Sequence, residues 1–365
     1  MTLSILIAAG GTGGHMIPAH ALAEELQRRG HSTTLLTDAR GLRFPGLFEG
    51  CARHVVDSAT ASGLHPVKWL QAGFAIRRGR KLAIEIARDC AASAVVGFGG
   101  YPSLPGLLAG ISLRLRCIIH EQNAILGRVN RRLQRQVTAI ALSYRDTDGI
   151  VPAAEYKTAY TGNPVRQAIL ATRDKPFRAP DMDSEFNLLV VGGSQGARIM
   201  SKLLPTAIAA LSERDRRRLR VVQQCRAEDL SATSLAYKDA SVQAECFPYL
   251  VDLPARLAAA HLVVSRAGAS TMAELTAAGR AAILLPYAAA TNDHQAANAR
   301  EFVRAGAGFL LREREARQSR MTGLLQGFLH SPEALHQAAV AARALGVPDA
   351  AVRLADLIEQ EVRGA

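Results

Sequence analysis

The sequence predicts an α/β protein with two Rossmann-like, parallel-sheet domains, on three observations. Its 365 residues are about twice the length of a typical single domain. Hydrophobic residues make up 48% of the chain and aromatic residues only 5%, a composition that suits packed helices and buried parallel strands. A strand, a glycine-rich turn and a helix occur twice, with the turns about 182 residues apart.

One strand–turn–helix unit begins each predicted domain. Leu3–Ala9 form an apolar strand that runs into the turn GGTGGH and then a helix over 17–29. Asn187–Val191, the turn GGSQGA and a helix over 198–211 repeat this order. Further short apolar runs alternate with helical patterns, as a doubly wound sheet requires. These runs are Ala94–Gly97, Cys117–His120, Leu262–Ser265 and Ala282–Leu285.

A polar, proline-bearing stretch after Gly162 predicts the boundary between the domains. The sequence therefore divides into a first domain over 1–162 and a second over 163–340. The remaining residues, 341–365, have a helical pattern.

Charge and composition limit the function. The formal net charge is +12, and residues 1–160 carry 19 Lys and Arg against 11 Asp and Glu, so anionic partners are favoured. No recognised nucleic-acid motif accompanies this charge, so nucleic acid is not expected. No apolar run reaches the length of a membrane span, and no export leader is evident, which favours the cytoplasm. Five scattered cysteines fit neither a disulfide framework nor zinc and are interpreted as small buried residues.

The turn GGTGGH at Gly10–His15 places flexible backbone at the end of the first strand. Backbone N–H groups and a helix N-terminus there can face an anion or a hydroxyl-rich ligand. Met16 stands where a dinucleotide fingerprint has its last glycine, so a nicotinamide cofactor is disfavoured. His15 can accept a proton from an attacking hydroxyl, or it can simply cap the helix.

The second turn also matches the GxSxG pattern of a hydrolase nucleophile elbow at Ser194. A hydrolase would need His261 or His294 with Asp252 or Asp293 at strand ends. That alternative leaves the glycine turn at Gly10 unexplained. A turn whose backbone N–H groups bind phosphate explains the glycines at both Gly10 and Gly192.

The segment Ser265–Glu274 places small and hydroxyl side chains at a strand end and then opens a helix. Glu274 can accept the hydroxyls of a ribose, as acidic residues do in dinucleotide-binding folds, or it can belong to an ordinary capped helix. Two DxD sequences, at Asp146 and Asp181, do not follow apolar strands and are interpreted as solvated loops. The sequence therefore predicts neither a metal site nor a cofactor.

Apolar and basic side chains interleave between Lys68 and Ile84. The pattern predicts a basic amphipathic helix that inserts at an anionic membrane surface, although a core helix with a solvated face is the alternative. The residues predicted to contact the membrane are Trp69, Phe74, Arg77, Arg78, Arg80 and Lys81.

Seven motifs, in the order in which they occur along the chain, resemble those of the MurG family of bacterial glycosyltransferases. They span nearly the whole chain. They are GGTGGH at Gly10, GFGGYPSLPG at Gly97, HEQN at His120, TGNPVR at Thr161, GGSQGAR at Gly192, SRAGASTMAEL at Ser265 and NDHQAANA at Asn292. The resemblance implies the GT-B fold, with an N-terminal acceptor domain and a C-terminal donor domain facing across a cleft. It also implies that the last helix packs back on the first domain.

The resemblance implies site residues at the matching positions. His15 would be the general base, with Glu121 as an assistant. Glu274 would bind the ribose, and Arg266 would approach the nucleotide. The other donor contacts would be Thr12, Gly13, Gly14, Asn123, Arg166, Ser194, Leu250, Ala269, Ser270, Thr271, Met272, Ala273 and Gln295.

The implied reaction is an inverting transfer of N-acetylglucosamine from UDP-N-acetylglucosamine in peptidoglycan biosynthesis. The acceptor would be the 4-hydroxyl of the muramoyl sugar in undecaprenyl-diphosphoryl-N-acetylmuramoyl-pentapeptide. The protein would lie peripherally on the cytoplasmic face of the inner membrane, with cell-wall synthesis and division proteins as candidate partners. A UDP-N-acetylglucosamine epimerase of the same fold and a non-catalytic cell-wall scaffold are the alternatives.

Overall fold

A computed structural model describes residues 2–44, 46–57, 66–175, 177–193 and 197–364, and these form two compact units. The first unit is Met1–Arg166 together with Val347–Ala365, and the second is Gln167–Gly346. The chain therefore leaves the first unit four residues after the predicted boundary. Two parallel sheets confirm the predicted fold class.

The first unit has a seven-stranded parallel sheet of order β3-β2-β1-β4-β5-β6-β7. Its strands are β1 (Ser4–Ala8), β2 (Ser32–Thr37), β3 (Ala52–Val55), β4 (Ala94–Gly97), β5 (Arg116–Glu121), β6 (Ala139–Leu142) and β7 (Thr158–Tyr160). Its helices are α1 (Gly13–Arg28), α2 (Pro66–Asp89), α3 (Gly100–Ser112), α4 (Arg128–Leu133), α5 (Pro152–Glu155) and, after the second unit, α15 (Ala350–Arg363).

The alternation of side chains along β1 divides the core of this unit in two. Ile5 and Ile7 are buried with side chains of α1 and α15, whereas Leu6 and Ala8 are buried with those of α2 and α3. A strand covered on both faces is apolar at every position, as the run Ile5–Ala8 is.

The second unit has a six-stranded parallel sheet of order β10-β9-β8-β11-β12-β13. Its strands are β8 (Phe186–Val191), β9 (Leu219–Gln224), β10 (Gln243–Phe247), β11 (Leu262–Ser265), β12 (Ala281–Leu284) and β13 (Gly308–Leu310). Its helices are α6 (Gln167–Arg173), α7 (Arg198–Ala209), α8 (Glu213–Arg218), α9 (Leu230–Asp239), α10 (Leu253–Ala259), α11 (Ala269–Ala278), α12 (His294–Arg304), α13 (Gln318–Leu329) and α14 (Pro332–Leu345).

All five cysteines are free. Cys117 and Cys225 are buried as expected, but Cys51, Cys90 and Cys246 are only half-buried. Burial raises the pKa of the Cys117 thiol to about 12, so this thiol stays protonated at neutral pH.

Candidate active site

The strand order of each sheet reverses once, and each reversal lies beside a glycine-rich turn. In the first unit β1 lies between β2 and β4, and in the second β8 lies between β9 and β11. Open parallel sheets bind ligands at the carboxyl ends of the strands where such a reversal occurs. The turns that follow β1 and β8 are therefore the candidate sites.

Crowding explains the glycines of the turn after β1. A Cβ at position 10 would lie 2.7 Å from the Cβ of Pro102 and 2.8 Å from Oδ1 of Asp38, closer than carbon and oxygen atoms approach. Gly11 has a φ of +82°, in the left-handed region that glycine tolerates best. Thr12 is the exposed N-cap residue of α1, and Gly13 begins the helix.

His15 lies in the first turn of α1 and is half-buried. Its Nδ1 is 3.3 Å from the carbonyl oxygen of Gly10, and since a carbonyl can only accept, Nδ1 carries the hydrogen. Nε2 has no hydrogen-bond partner among the described residues. Burial lowers the pKa of His15 despite the opposing effect of the Gly10 bond. The imidazole is therefore neutral at pH 7, with its lone pair on Nε2.

A second glycine turn, after β4, lies against this imidazole. Gly99 and Gly100 have φ values of +78° and +69°. A Cβ at position 100 would lie 3.2 Å from Cε1 of His15, so a larger residue would press on the ring. Ser103 is buried and its Oγ donates to the carbonyl of Gly100 at 2.9 Å. The motif GFGGYPSLPG thus shapes the surroundings of His15.

Glu121 ends β5 and is almost fully buried, at 2% exposure. Its Oε1 accepts from the backbone N–H and the side-chain amide of Asn123, at 3.0 and 3.2 Å. Its Oε2 accepts from the N–H of Gly127 at 2.7 Å and from Nδ2 of Asn130 at 2.9 Å. Burial raises the pKa of Glu121, against the opposing effect of these four donors. The carboxylate therefore holds the loop that carries Asn123.

The neighbouring His120 is a structural residue. Its Nδ1 accepts from the side-chain amide of Gln122 at 2.9 Å, so Nε2 carries the hydrogen and donates to the carbonyl of Gly162 at 3.0 Å. Burial lowers the pKa of His120 to about 4. This neutral imidazole connects the end of β5 to the TGNPVR motif.

The turn after β8 begins with Gly192 and Gly193, and Gly193 has a φ of +80°. Ser194, predicted as a donor contact, lies outside the described residues. After the neighbouring β11, Gly268 is the extended N-cap residue of α11. The first backbone N–H groups of a helix have no partner within it and favour an anion.

The first two turns of α11 contain the segment predicted to hold the nucleotide. Ala269 begins the helix, and Glu274 in the second turn is buried at 7% exposure. Met272 is also buried, whereas the other four residues of the segment are half-buried. The other residues are Ala269, Ser270, Thr271 and Ala273.

The guanidinium of Arg266 is bound to the loop that follows β12 and does not extend freely. Its Nη1 donates to the carbonyls of Leu285 and Pro286, at 2.9 and 3.2 Å, and pairs with Oε1 of Glu313 at 2.5 Å. Its guanidinium also lies 5.3 Å from the ring centre of Tyr287. Gln295 holds the same loop, because its Oε1 accepts from the N–H of Tyr287 at 2.9 Å.

Two further predicted donor contacts, Leu250 and Arg166, belong to neither glycine turn in sequence. Leu250 is buried at 6% exposure after β10, and Arg166 is half-buried at the point where the chain passes from the first unit to the second. Their contacts with a donor stay predictions.

The position of His261 argues against the hydrolase alternative. His261 precedes β11, and its Nδ1 accepts from the N–H of Asn187 at the beginning of β8, at 2.9 Å. The Gly192 turn follows the other end of β8, about 16 Å away at roughly 3.3 Å per residue. A triad base must contact its nucleophile. The position of His261 therefore does not favour it as the base of a nucleophile in the Gly192 turn.

The basic segment forms α2, which has one buried and one exposed face. Ala83, Ile86 and Ala87 are buried in the core, while Phe74 is 67% exposed and Leu82 40% exposed. The cations around them are exposed; they are Arg77, Arg78, Arg80 and Lys81. The Trp69 side chain lies outside the described residues. In the described part of the chain, every helix is too short or too polar to span a bilayer.

Sequence reasoning missed three residues that organise the sites. Asp38 accepts from the N–H of Gly11, Asn130 donates to Glu121, and Glu313 pairs with Arg266. Asp38 follows the second strand, and a polar residue at a strand end beside the first glycine turn was the available signal. Asn130 and Glu313 lie in polar stretches without a distinguishing pattern.

Models of two protein domains match the chain. The glycosyltransferase family 28 N-terminal domain matches residues 5–142, and the glycosyltransferase family 28 C-terminal domain matches residues 187–354. Each match contains one of the two glycine turns, at Gly10 and Gly192.

Curated relatives share nearly the full length. The UDP-N-acetylglucosamine--N-acetylmuramyl-(pentapeptide) pyrophosphoryl-undecaprenol N-acetylglucosamine transferase of Zymomonas mobilis is 49% identical, over 97% of this chain and 92% of the relative. The protein of the same name from Brucella suis is 44% identical, over 99% of this chain and 94% of the relative.

Solved structures give the same result for the fold. MurG of Acinetobacter baumannii has a TM-score of 0.75 at 30% identity, over 98% of this chain and 99% of that one. A putative UDP-N-acetylglucosamine 2-epimerase from Listeria monocytogenes has a TM-score of 0.71 at 16% identity, over 100% of this chain and 98% of that one. The second likeness is one of fold alone.

Proposed function

This chain belongs to glycosyltransferase family 28, and from that premise we propose that it transfers N-acetylglucosamine from UDP-N-acetylglucosamine to a lipid-linked muramoyl acceptor. The acceptor is the 4-hydroxyl of the muramoyl sugar in undecaprenyl-diphosphoryl-N-acetylmuramoyl-pentapeptide, in peptidoglycan biosynthesis. Identity of 49% over nearly the full length to a transferase named for this donor and acceptor carries the proposal.

His15 is the general base of the proposed reaction. Its neutral imidazole keeps the hydrogen on Nδ1, bound to Gly10, and offers Nε2 to the acceptor hydroxyl. As the hydroxyl oxygen bonds to the anomeric carbon, its proton moves to Nε2. The bond from that carbon to the diphosphate breaks on the opposite side, so the anomeric configuration inverts and UDP leaves.

The second unit holds the donor in this proposal. The N–H groups at the beginning of α11 and those of the turn at Gly192 stabilise the negative diphosphate as the bond breaks. Glu274 accepts from the ribose hydroxyls. Arg266 and Gln295 shape this site by holding the loop at Tyr287. The charge of the leaving group is balanced without a metal ion.

Transfer of labelled N-acetylglucosamine to the lipid-linked acceptor tests the reaction. The wild-type protein should transfer at the same rate with and without EDTA. His15→Ala should lose at least 100-fold in kcat, an order-of-magnitude expectation for a general base, and should still bind UDP-N-acetylglucosamine. Normal transfer by this variant would refute the base, and an epimer formed without acceptor would refute the transferase.

We propose further that α2 attaches the protein peripherally to the cytoplasmic face of the inner membrane. Phe74 projects from a face that also carries Arg77, Arg78 and Lys81, so apolar insertion and attraction to anionic lipid act together. Phe74→Ser should weaken binding to vesicles containing phosphatidylglycerol by about thirtyfold, since about 2 kcal/mol of apolar burial is lost. Leu235→Ser, at an exposed position of α9, is the matched control.

A further inference from the structure

One peptide group connects the carboxylate of Asp38 to the imidazole of His15. The N–H of Gly11 donates to Oδ1 of Asp38 at 2.9 Å. The carbonyl of Gly10, in the same peptide group, accepts from Nδ1 of His15 at 3.3 Å. Since the peptide is trans, its N–H and C=O point in opposite directions. The carboxylate and the imidazole therefore bind opposite sides of one polar group.

The carboxylate of Asp38 is held firmly. Asp38 follows β2, the parallel neighbour of β1, and is only 8% exposed. Its Oδ1 also accepts from the N–H of Gly41 at 3.0 Å, and its Oδ2 accepts from Nε of Arg40 at 2.8 Å. With both oxygens engaged, the carboxylate has one orientation toward the Gly10–Gly11 peptide.

The turn is built to allow this approach. A Cβ at position 10 would lie 2.8 Å from Oδ1 of Asp38, so only glycine lets the carboxylate come this close. The left-handed conformation of Gly11 turns its N–H toward Asp38. The glycines of GGTGGH therefore serve the link to Asp38 as well as any phosphate.

We propose that Asp38 is the positioning acid of His15 and acts through the Gly10–Gly11 peptide. The inference rests on the proposed role of His15 as base. The negative carboxylate polarises the peptide, which makes the carbonyl of Gly10 a stronger acceptor for Nδ1–H. This keeps the hydrogen on Nδ1, leaves Nε2 basic, and stabilises the imidazolium that forms when the hydroxyl proton arrives. Asp38 itself takes no proton.

Two charged groups face His15, and they act in opposite senses. The carboxylate of Asp38 raises the pKa of His15, whereas the guanidinium of Arg40 lowers it. Activity requires the unprotonated imidazole, so kcat falls at low pH as His15 becomes protonated. The pH range of this fall, the acid limb of the pH profile of kcat, follows the pKa of His15. Removing the charge of Asp38 should therefore move the acid limb in one direction, and removing the charge of Arg40 should move it in the other.

The test compares Asp38→Asn with Arg40→Gln in the transfer assay. Asp38→Asn keeps an oxygen acceptor for Gly11 but loses the charge, so kcat should fall about tenfold while KM for UDP-N-acetylglucosamine changes less than about twofold. Its acid limb should move to lower pH. Arg40→Gln should move the limb to higher pH. An NMR titration of the His15 ring in each variant should show the same two shifts.

Glu25→Gln is the matched control. Glu25 is a largely buried carboxylate of α1 that binds Arg28 and Arg29 at the far end of the helix from His15. Glu25→Gln should keep the wild-type kcat and the wild-type acid limb of the pH profile. If Asp38→Asn lowers kcat at every pH without moving the limb or the NMR titration, Asp38 is merely structural and the proposal is overturned.

Two further outcomes separate this proposal from the one on which it rests. If His15→Ala is inactive but Asp38→Asn and Arg40→Gln both behave like Glu25→Gln, the base stands and the role of Asp38 is overturned. If His15→Ala transfers normally, the proposed base itself fails.

Discussion

Single buried side chains determine the shape of the first site more than its exposed residues do. Glu121 matched a family position expected to assist catalysis, but its two oxygens accept from four donors, three in the loop that follows β5 and one on α4. A carboxylate so engaged orders Asn123 and Gly127 through short, charge-assisted bonds. We therefore assign Glu121 a positioning role.

Replacing Glu121 tests this role. Glu121→Ala removes the acceptor of four hydrogen bonds, including the one from the buried Nδ2 of Asn130, and a buried donor left without its acceptor costs about 1–3 kcal/mol. The free energy of unfolding should fall by about 3 kcal/mol, measured by urea denaturation. Glu155→Ala, at an exposed position of α5, should change it by less than about 0.5 kcal/mol. An unchanged unfolding free energy in Glu121→Ala would contradict the role.

Among the elements, α15 shows how a distant segment completes a domain. Leu354, Ala355 and Ile358 are fully buried in the core that α1 shares with β1. At the edge of this contact, Arg29 pairs with Glu359 at 3.0 Å, and Nε2 of His31 lies 3.1 Å from the same carboxylate. Apolar burial attaches the helix, and the ion pairs set its position along α1.

Lowering the pH should weaken the attachment of α15 to the rest of the first unit. Hydrogen bonds from Arg28 lower the pKa of Glu25 below its usual 4.5, and a bond with His31 likewise lowers that of Glu359. A carboxyl group with a lowered folded-state pKa stabilises the fold above its unfolded pKa, and this contribution disappears as pH falls through the folded value. Wild type should therefore lose more stability between pH 6 and roughly pH 3 than the Glu25→Gln/Glu359→Gln variant.

Urea denaturation across this pH range measures the difference. About 1 kcal/mol is expected, since the two carboxyls are largely shielded from solvent but lie near the surface. Parallel curves for the two proteins would show that the ion pairs contribute nothing.

For the whole molecule, the two units divide the proposed work. Most of the excess positive charge lies in residues 1–160, which include the basic face of α2, and this suits a unit that meets an anionic membrane and a diphosphate lipid. The second unit carries the predicted nucleotide contacts on α11 and around Tyr287.

Donor binding should stabilise the protein independently of catalysis. UDP-N-acetylglucosamine at roughly 100 times its Kd contributes about 2.7 kcal/mol, which raises Tm by about 5–10 °C for a unit of this size. His15→Ala should show the same rise, because the variant removes a proposed proton acceptor and none of the proposed donor contacts. ADP-glucose is the control nucleotide sugar. Differential scanning calorimetry that shows equal stabilisation by both would contradict specific donor binding.

Much of the fold follows from local patterns. The runs Ala94–Gly97 and Leu262–Ser265 are strands with the predicted bounds, since a short apolar run between turn residues has few other conformations. The helix predicted over 17–29 begins four residues earlier, at Gly13, because the first glycine turn itself supplies the first helical residues. The ordered set of seven motifs, rather than any one of them, indicated the family.

The sequence by itself determined the two α/β units, their glycine turns and the reactive residue types, because each depends on neighbours along the chain. Only the tertiary structure decided which distant groups meet. Asp38 reaches Gly11 because β2 pairs with β1. The return of the last helix to the first unit, which the family resemblance implied but no local pattern predicted, depends on α15 burying its apolar face in the core shared with α1. Such contacts depend on strand order and packing between segments far apart in sequence, which no local pattern records.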